Sequence, residues 1–257
     1  MIAANLATYP PRREGVVKVV EQLAGQVDRL NLVLNEYDQP LQELAHFENV
    51  RQILPEEDTK DTGKFYPDTS GAEFVLLVDD DIDYPEDFVS RTVSLFRQFG
   101  RGFIGGYHGS LYQSRWDYLR RGKIRRAISY DRDRIADFRK VFRFHGELDH
   151  AVVVDQIATN AAILNGPDVP PYDYMRDSRK FVDVRLARWC FERSIVPIAL
   201  PKAAKWLGKI SYEETIYHGF TQKNPPEVTQ EILSYAFKVP GRGHIPGTPR
   251  RADLTGR

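Results

Sequence analysis

Short aliphatic runs alternate with helical spacing in the N-terminal part of the chain, and this alternation limits the folds it can adopt. The runs at 2–8, 30–35 and 74–78 are typical of parallel strands that are covered on both faces. Between the first two, residues 13–26 carry apolar side chains at helical spacing. A strand, helix, strand order predicts right-handed crossovers and an open α/β sheet. We therefore expect a Rossmann-like, mostly parallel sheet with helices on both faces and ligands bound beyond the carboxyl ends of its strands.

The rest of the chain continues the pattern less regularly. It predicts a helix at 86–99, a glycine-broken strand at 102–109, strand structure at 150–165, a helix at 180–194 and a short strand at 195–201. The simplest organisation is one domain over 1–237, made of the halves 1–110 and 111–237. The tail 238–257 has five basic residues and one acidic residue among many Gly and Pro, so we expect it to be poorly ordered unless a ligand or partner pins it.

The composition narrows the possible partners and compartments. The chain has 257 residues, and its 36 Lys and Arg balance 36 Asp and Glu, which argues against a nucleic-acid partner. The one cysteine, Cys190, excludes an internal disulfide framework and fits a reducing cytoplasm. We read the N-terminal segment as neither a signal nor a transit peptide, and we find no apolar run of about 18 residues that would span a membrane.

Carboxylates crowd the end of the third predicted strand. Asp79, Asp80 and Asp81 directly follow "FVLLV", and Asp83 comes two residues later. Adjacent, partly desolvated carboxylates repel one another, so we expect a bound cation to neutralise them. Asp79 and Asp81 share one side of the extended backbone, and their oxygens suit the hard ions Mg²⁺ or Mn²⁺.

Three other interpretations of these aspartates were weighed. One aspartate can cap the helix that follows, and Asp83 is the first candidate for this role, but capping leaves the other aspartates without a role. A calcium loop fails because Tyr84 stands at its required glycine and Ser90 at its closing glutamate. A phosphotransferase of the haloacid dehalogenase type remains an alternative, although Asp83 occupies the position where that type has threonine or valine.

Several segments together resemble a known family. They occur in the order "ATYPPR", "QVDRLNLVLNEYD", "DTGKFY", "LLVDDDIDYPEDFV", "YHG" and "FVDVRLARWCFERSIVPIALPKAAKWL", and they span residues 3–207. In these segments the chain resembles bacterial family-two-like glycosyltransferases of the GT-A fold, which build capsular and other cell-surface polysaccharides. The aspartate string preceded by "GKFY" is the most specific part of the resemblance.

The resemblance implies a metal-dependent, inverting glycosyltransferase. Residues 1–110 would bind a nucleotide diphosphate sugar, for which a UDP-sugar is the first candidate. Residues 111–237 would bind the acceptor. The cofactor would be Mn²⁺ or Mg²⁺. The acceptor would be a surface or capsular glycan, free or lipid-linked. The protein would be cytoplasmic, and any peripheral membrane association would be with the inner face of the membrane. A non-catalytic nucleotide-sugar-binding module of the same fold is the alternative from another class.

The resemblance also implies roles for individual residues. Asp79 and Asp81 would be the metal pair, with Asp81 the direct ligand and His218 a further one. The residues that would contact the donor are Thr8, Tyr9, Arg12, Asn35, Asp61, Lys64 and Asp80. Among them, Thr8 and Arg12 would contact the base and ribose, and Asp61 the base. Asp80 would face the ribose or sugar, and Lys64 would lie near the diphosphate. Asp183 would be the general base that takes the proton of the acceptor hydroxyl, with Asp177 in reserve.

Simpler roles stay open for several of these residues. Asp183 sits where an aspartate commonly stabilises the first turn of a helix, and Lys64 is also compatible with a solvated loop. His108 and His218 are compatible with structural histidines, and Trp206 with either core packing or stacking on a sugar ring. The stretch 115–143 carries eleven Lys and Arg against four Asp. It is either a solvated face, a contact for an anionic glycan, or a docking surface for an anionic membrane leaflet.

Overall fold

A computed structural model describes residues 1–211 and 225–245 of the chain. Its strands are β1 (Ile2–Thr8), β2 (Arg29–Leu34), β3 (Val50–Ile53), β4 (Phe74–Val78), β5 (Ile82–Asp83), β6 (Phe103–Gly106), β7 (Gly109–Tyr112), β8 (Arg139–Phe142), β9 (Val152–Val153), β10 (Gln156–Ile157), β11 (Ala161–Asn165), β12 (Val196–Ala199) and β13 (Gly208–Lys209). Its α-helices are α1 (Arg13–Ala24), α2 (Phe88–Arg97), α3 (Arg115–Arg120), α4 (Ile124–Ile128), α5 (Tyr172–Met175), α6 (Val182–Glu192) and α7 (Pro226–Tyr235).

The main sheet has eight strands in the order β3-β2-β1-β4-β11-β6-β12-β9. The first four are mutually parallel, in the 3-2-1-4 order of doubly wound folds. The strand β11 runs antiparallel between β4 and β6, β12 is parallel to β6, and β9 closes the edge antiparallel to β12. The prediction of an α/β protein with a large, mostly parallel sheet is confirmed, although the sheet is mixed.

Helices cover both faces of this sheet. Leu76 and Val78 of β4 belong to a core cluster that contains the apolar faces of α1 and α2. Val75 and Leu77, which alternate with them along the strand, belong to a second cluster with α5 and α6. Continuous aliphatic strands are therefore required because both faces of the strand are buried.

Two smaller sheets accompany the main sheet. One has the order β10-β7-β8, and the other pairs β13 with β5. The predicted glycine-broken strand at 102–109 is the pair β6 and β7, separated by Tyr107 and His108. The predicted strand structure at 150–165 is divided among β9, β10 and β11, with the buried Asp155 at one of the breaks. The division into halves at residue 110 stays a prediction.

The expectation of a poorly ordered tail is wrong for residues 238–245. Gly243 donates its backbone N–H to the carbonyl of Val153 at 2.7 Å, and Val153 donates to the carbonyl of His244 at 3.0 Å. Arg242 forms a two-point ion pair with Asp155, at 2.9 Å from Nε to Oδ1 and 2.8 Å from Nη2 to Oδ2. The fully buried carboxylate requires a cation, and the tail supplies it. The rest of the tail lies outside the described residues.

Candidate functional site

The site is built at the carboxyl ends of the parallel strands. Thr8 ends β1, Asn35 follows β2, and Asp79, Asp80 and Asp81 follow β4. Because these strands are parallel, their ends lie at one edge of the sheet. The predicted meeting of these residues is seen directly in one hydrogen bond, which Thr8 Oγ1 donates to Asp80 Oδ2 at 2.7 Å.

Asp80 is the most enclosed carboxylate of the aspartate string. Arg12 Nη1 lies 3.1 Å from Asp80 Oδ1, so that each carboxylate oxygen has a protein partner. Burial raises the pKa of Asp80 to about 6, although Arg12 and Thr8 both lower it. The Arg12 guanidinium also lies 6.0 Å from the ring centre of Tyr9. These residues thus form one connected group, and their contacts with a nucleotide stay a prediction.

Lys64 is a buried cation rather than a solvated loop lysine. It is 3% exposed, and its Nζ donates to Asp79 Oδ1 and, at 3.1 Å, to the carbonyl of Thr159. Burial acts to lower its pKa, but Asp79, Asp183 and Asp61 outweigh burial, so the pKa of Lys64 is raised. Lys64 therefore stays charged in the site.

The loop that carries Lys64 is held by buried amides. Asn35 Oδ1 accepts from the backbone N–H of Thr59 at 2.8 Å and its hydroxyl at 2.6 Å, and Asn35 Nδ2 donates to the carbonyl of Lys60 at 3.1 Å. Within β1, Asn5 Nδ2 donates to the carbonyl of Lys64 at 2.8 Å. Asn35 holds this loop in the structure, and its contact with the donor stays a prediction. Asn5 was missed, although an amide inside an aliphatic run was the signal.

Gly63 lets this loop lie directly on the sheet. A Cβ at this position would overlap the hydroxyl of Thr59 and lie 3.1 Å from Ala7 Cβ and 3.2 Å from Val33 Cγ1. The glycine of the "DTGK" segment is thus required by close approach to β1 and β2. It brings Lys64 to the aspartates.

Two further carboxylates act on the Lys64 ammonium. Asp183 Oδ1 accepts from the backbone N–H of Thr159 at 2.8 Å, and both oxygens of Asp61 accept from the backbone N–H of Lys180 at 2.9 Å. Burial raises the pKa of Asp61 and of Asp183, while Lys64 lowers both. Lys64 therefore pairs directly with Asp79, while Asp61 and Asp183, from distant parts of the chain, act on it electrostatically.

The two candidates for the general base occupy different environments. Asp183 lies in the first turn of α6, but its carboxylate bonds Thr159 and not an N–H of its own helix. Asp177 is exposed and lies 3.9 Å from Arg176 in an ion pair. The geometry thus binds Asp183, and not the reserve candidate, to Thr159, the residue that Lys64 also contacts.

Asp79 and Asp81 present the most suitable oxygens for a divalent cation. Their side chains are 33% and 36% exposed, and Arg12 Nη1 lies 3.8 Å from Asp81 Oδ2. Burial, and after it the charge of Asp79, raises the pKa of Asp81. A bound cation would relieve the unfavourable proximity of these two carboxylates. Hard, partly open carboxylates fit Mg²⁺ or Mn²⁺, ions that complete their coordination with phosphate and water.

The rest of a metal coordination sphere is not supplied by the described residues. Across 1–211 and 225–245, no group of three or more His, Cys, Asp or Glu side chains is arranged to hold a metal ion. His218, the proposed further ligand, lies outside these ranges. The two aspartates would therefore bind a cation together with the donor.

Asp83 does not cap a helix. Its carboxylate accepts from Gln22 Nε2 at 2.6 Å and pairs with Lys18 Nζ at 2.7 Å, which lowers the pKa of Asp83. The following helix begins at Phe88, and its N-cap residue Asp87 makes no side-chain capping bond. Asp83 instead ties α1 to β5.

Two basic residues, His108 and Lys202, follow further strands at the same edge, and the sequence analysis missed Lys202. His108 follows β6 and Lys202 follows β12, two parallel strands whose ends face the same way as β4. Lys202 is 3% exposed, and within the described part of the chain its ammonium forms no hydrogen bond or ion pair. Burial lowers the pKa of Lys202 to about 8. Burial, then Arg139, Lys202 and Arg143, lower the pKa of His108 to about 4.

A chain of contacts joins His108 to the aspartates. Asn160 Nδ2 lies 3.5 Å from His108 Nδ1, and the carbonyl of Asn160 accepts from the Tyr84 hydroxyl at 2.7 Å. The same hydroxyl accepts from the backbone N–H of Asp79 at 2.9 Å. The edge of the sheet thus carries carboxylates after β4, a histidine held neutral after β6 and the Lys202 ammonium after β12. Only the position after a predicted strand signalled Lys202.

Trp206 is a packing residue. Its ring lies 5.0 Å from that of Tyr107 and 6.0 Å from that of Phe88, and Arg91 lies 4.8 Å from its ring centre. Its Nε1 donates to Asp87 Oδ1 at 2.9 Å. These contacts favour the packing interpretation over stacking on a sugar.

The sequence was also compared with known proteins. No protein-family model and no curated protein sequence matches the chain.

Proposed function

We propose that this protein is a metal-dependent, inverting glycosyltransferase. It would move a sugar from a nucleotide diphosphate sugar, first of all a UDP-sugar, to a bacterial surface or capsular glycan, free or lipid-linked. The observation that carries the proposal is that the buried Lys64 pairs with Asp79 and also contacts Thr159, to which Asp183 is bonded, at the edge where open α/β sheets bind ligands. The finer assignment of the sheet to the GT-A fold is part of this proposal.

The donor end of the site needs groups that hold a diphosphate. Asp79 and Asp81 would hold Mn²⁺ or Mg²⁺, and when bound the ion would stabilise the charge that develops on the departing diphosphate. Lys64 holds Asp79 in place and adds a buried positive charge beside it. Lys202 and His108 line the same edge, and the ammonium of Lys202, a residue only 3% exposed, is suited to a phosphate oxygen.

Asp183 is proposed as the general base. Burial raises the pKa of its carboxyl group, which makes the carboxylate a stronger proton acceptor. The N–H of Thr159 fixes one oxygen, and in the proposed reaction the carboxylate takes the proton of an acceptor hydroxyl. A single base that activates the hydroxyl for direct attack fits inversion at the anomeric carbon.

Nucleotide binding tests the donor half of the proposal. We would record thermal unfolding with UDP, GDP, CDP, ADP and TDP, each with and without Mn²⁺. A ligand at about 100 times its dissociation constant stabilises the native state by roughly 2.7 kcal/mol, a readable shift. We expect one nucleotide to act only with metal, Asp81→Asn to abolish the effect, and Asp83→Asn, which removes a carboxylate paired with Lys18, to retain it. No shift with any nucleotide would contradict the proposal.

Turnover separates an enzyme from a binding module. With the nucleotide identified, release of the nucleoside diphosphate from the corresponding sugar donors would be measured for the wild type, Asp183→Asn and the exposed control Asp177→Asn. We expect Asp183→Asn to keep the metal-dependent midpoint shift and to lose turnover by about 100-fold or more, the range for a general base. Equal turnover in Asp183→Asn and the wild type would remove Asp183 from the mechanism.

A further inference from the structure

Helices α3 and α4 present large apolar side chains to solvent. Trp116 is 70% exposed, Leu119 38%, Ile124 61% and Ile128 72%. Trp116 and Leu119 are three residues apart on α3, and Ile124 and Ile128 are four apart on α4, so each pair shares one face of its helix. We call residues 115–128 the α3–α4 surface. Exposed apolar side chains grouped in this way mark an interaction site.

The same surface is strongly basic. Its cations, all exposed, are Arg115, Arg120, Arg121, Lys123, Arg125 and Arg126. The one carboxylate, Asp117, is occupied in a capping box with Ser114, to which it is joined by a 2.7 Å hydrogen bond. The surface therefore combines exposed apolar groups with an uncompensated positive charge.

Packing among residues 1–211 and 225–245 does not account for these apolar side chains. The underside of α3 and α4 is already filled by a small cluster of Tyr118, Ala127 and Phe138, with Arg126 stacked 4.5 Å from the ring of Phe138. The helices are thus anchored by their own core. Trp116 and the two isoleucines are left for another partner.

Three kinds of partner can be compared by their chemistry. An anionic glycan would neutralise the arginines but would leave Ile124 and Ile128 in water. A second copy of the chain, paired face to face, would cover the isoleucines but would bring like charges together. An anionic lipid bilayer takes both groups, because apolar side chains enter the acyl boundary while Lys and Arg meet the headgroups. We propose that the α3–α4 surface docks on an anionic membrane surface.

This inference adds a location to the proposed function without depending on it for its test. If the acceptor is lipid-linked, docking would hold the protein where that acceptor lies, and this consequence rests on the proposed function. Binding to vesicles is measured without nucleotide, metal or turnover. Failure of the membrane proposal and failure of the glycosyltransferase proposal are therefore distinguishable.

Vesicle binding gives the primary test. The full chain would be sedimented with vesicles of phosphatidylcholine alone and with vesicles containing phosphatidylglycerol at about a third of the lipid. We expect binding to the anionic vesicles only, weaker at high salt because headgroup attraction is screened. The fluorescence of Trp116 should shift to the blue on binding, and Trp116→Phe should lose that shift while still sedimenting. Equal binding to both vesicle types, or to neither, would overturn the proposal.

Matched variants assign the effect to this surface. Arg115→Gln/Arg120→Gln/Arg125→Gln should weaken binding by about fivefold for each charge removed. The control Arg29→Gln/Arg51→Gln/Arg101→Gln removes three exposed arginines elsewhere and should bind like the wild type. Ile124→Ser should weaken binding by about tenfold and Leu54→Ser, at another exposed apolar residue, should not. Equal losses in both triple variants, or a stable dimer that Ile124→Ser dissociates, would contradict membrane docking.

Discussion

Lys64 and Asp79 form an ion pair in which the lysine side chain is 4% exposed and the aspartate side chain 33%. Removing the cation should leave Asp61, Asp79 and Asp183 facing one another without a common positive charge. We expect Lys64→Met to lower the free energy of unfolding at pH 7 by roughly 2–3 kcal/mol, less than for a fully buried pair because Asp79 is partly exposed. Urea unfolding would measure this change.

The neighbouring pair Lys60 and Asp58 provides the control. Its atoms are 2.8 Å apart, but the lysine side chain is 45% exposed. Lys60→Met should therefore change the free energy of unfolding by less than about 1 kcal/mol. If both variants behave alike, the burial of Lys64 has no energetic consequence and its role at the site is wrongly assigned.

Gly63 should tolerate no side chain. An added Cβ would meet Thr59, Ala7 and Val33, so Gly63→Ala should push the loop and Lys64 away from the sheet. We expect a loss of about 1–3 kcal/mol in the free energy of unfolding and a reduced metal-dependent nucleotide shift. Gly25→Ala is the control, because a Cβ there has no neighbour within 4 Å. An unaltered nucleotide shift in a stable Gly63→Ala variant would show that the loop position does not matter.

Local patterns were sufficient for the strands and for the edge at which the site lies. Predicted strands at 2–8, 30–35 and 74–78 agree with β1, β2 and β4 to within a residue, because uninterrupted aliphatic runs between polar segments mark strands buried on both faces. The aspartates directly after β4 could be located for the same reason.

Long-range partners could not be predicted in this way. Thr159 reaches Lys64 only because β11 inserts antiparallel beside β4, and no local spacing encodes that pairing. Arg242 lies in a Gly- and Pro-rich tail that looks unstructured until its buried partner is known. The sequence signal was Asp155 itself, a lone acid within an apolar strand run, which requires a cation from somewhere in the chain.

The ion pair of Arg242 and Asp155 should be a major source of stability for the tail. Asp155 is fully buried, and it also accepts from the backbone N–H of Tyr112 at 2.8 Å. Arg242→Met would leave this carboxylate buried without a cation, which should lower the free energy of unfolding by roughly 3–5 kcal/mol. Removing Asp155 as well, in Asp155→Asn/Arg242→Met, should recover part of the loss.

The exposed ion pair of Arg134 and Asp137 is a suitable control for the Arg242→Met variant. They pair at 2.7 Å with side chains 71% and 52% exposed, so Arg134→Met should cost less than about 1 kcal/mol. Hydrogen exchange at the backbone N–H of Gly243 would report the tail directly. Undiminished protection of that N–H in Arg242→Met would show that the backbone contacts with Val153 are sufficient to hold the tail.

Lys202 should be a residue that lowers stability and supports binding. Its pKa is about 8 in the folded protein, below its ordinary value of 10.5, so the unfolded chain binds more protons between these values and stability rises with pH across that window. At pH 7 the folded state carries a buried charge without a partner among the described residues. Lys202→Met should therefore raise the free energy of unfolding at pH 7 by about 2 kcal/mol, or roughly 4–8 °C in the thermal midpoint.

The gain should shrink at pH 9.5, where the wild-type lysine is largely neutral in the folded state. The same variant should lose most of the metal-dependent midpoint shift given by the nucleotide, because the diphosphate would lose a buried cation. Lys140→Met, at an exposed lysine on β8, should change neither quantity. A variant more stable yet weaker in binding is the signature of a charge kept for a ligand. Destabilisation at pH 7 would instead mean that the Lys202 ammonium is a structural partner within the protein.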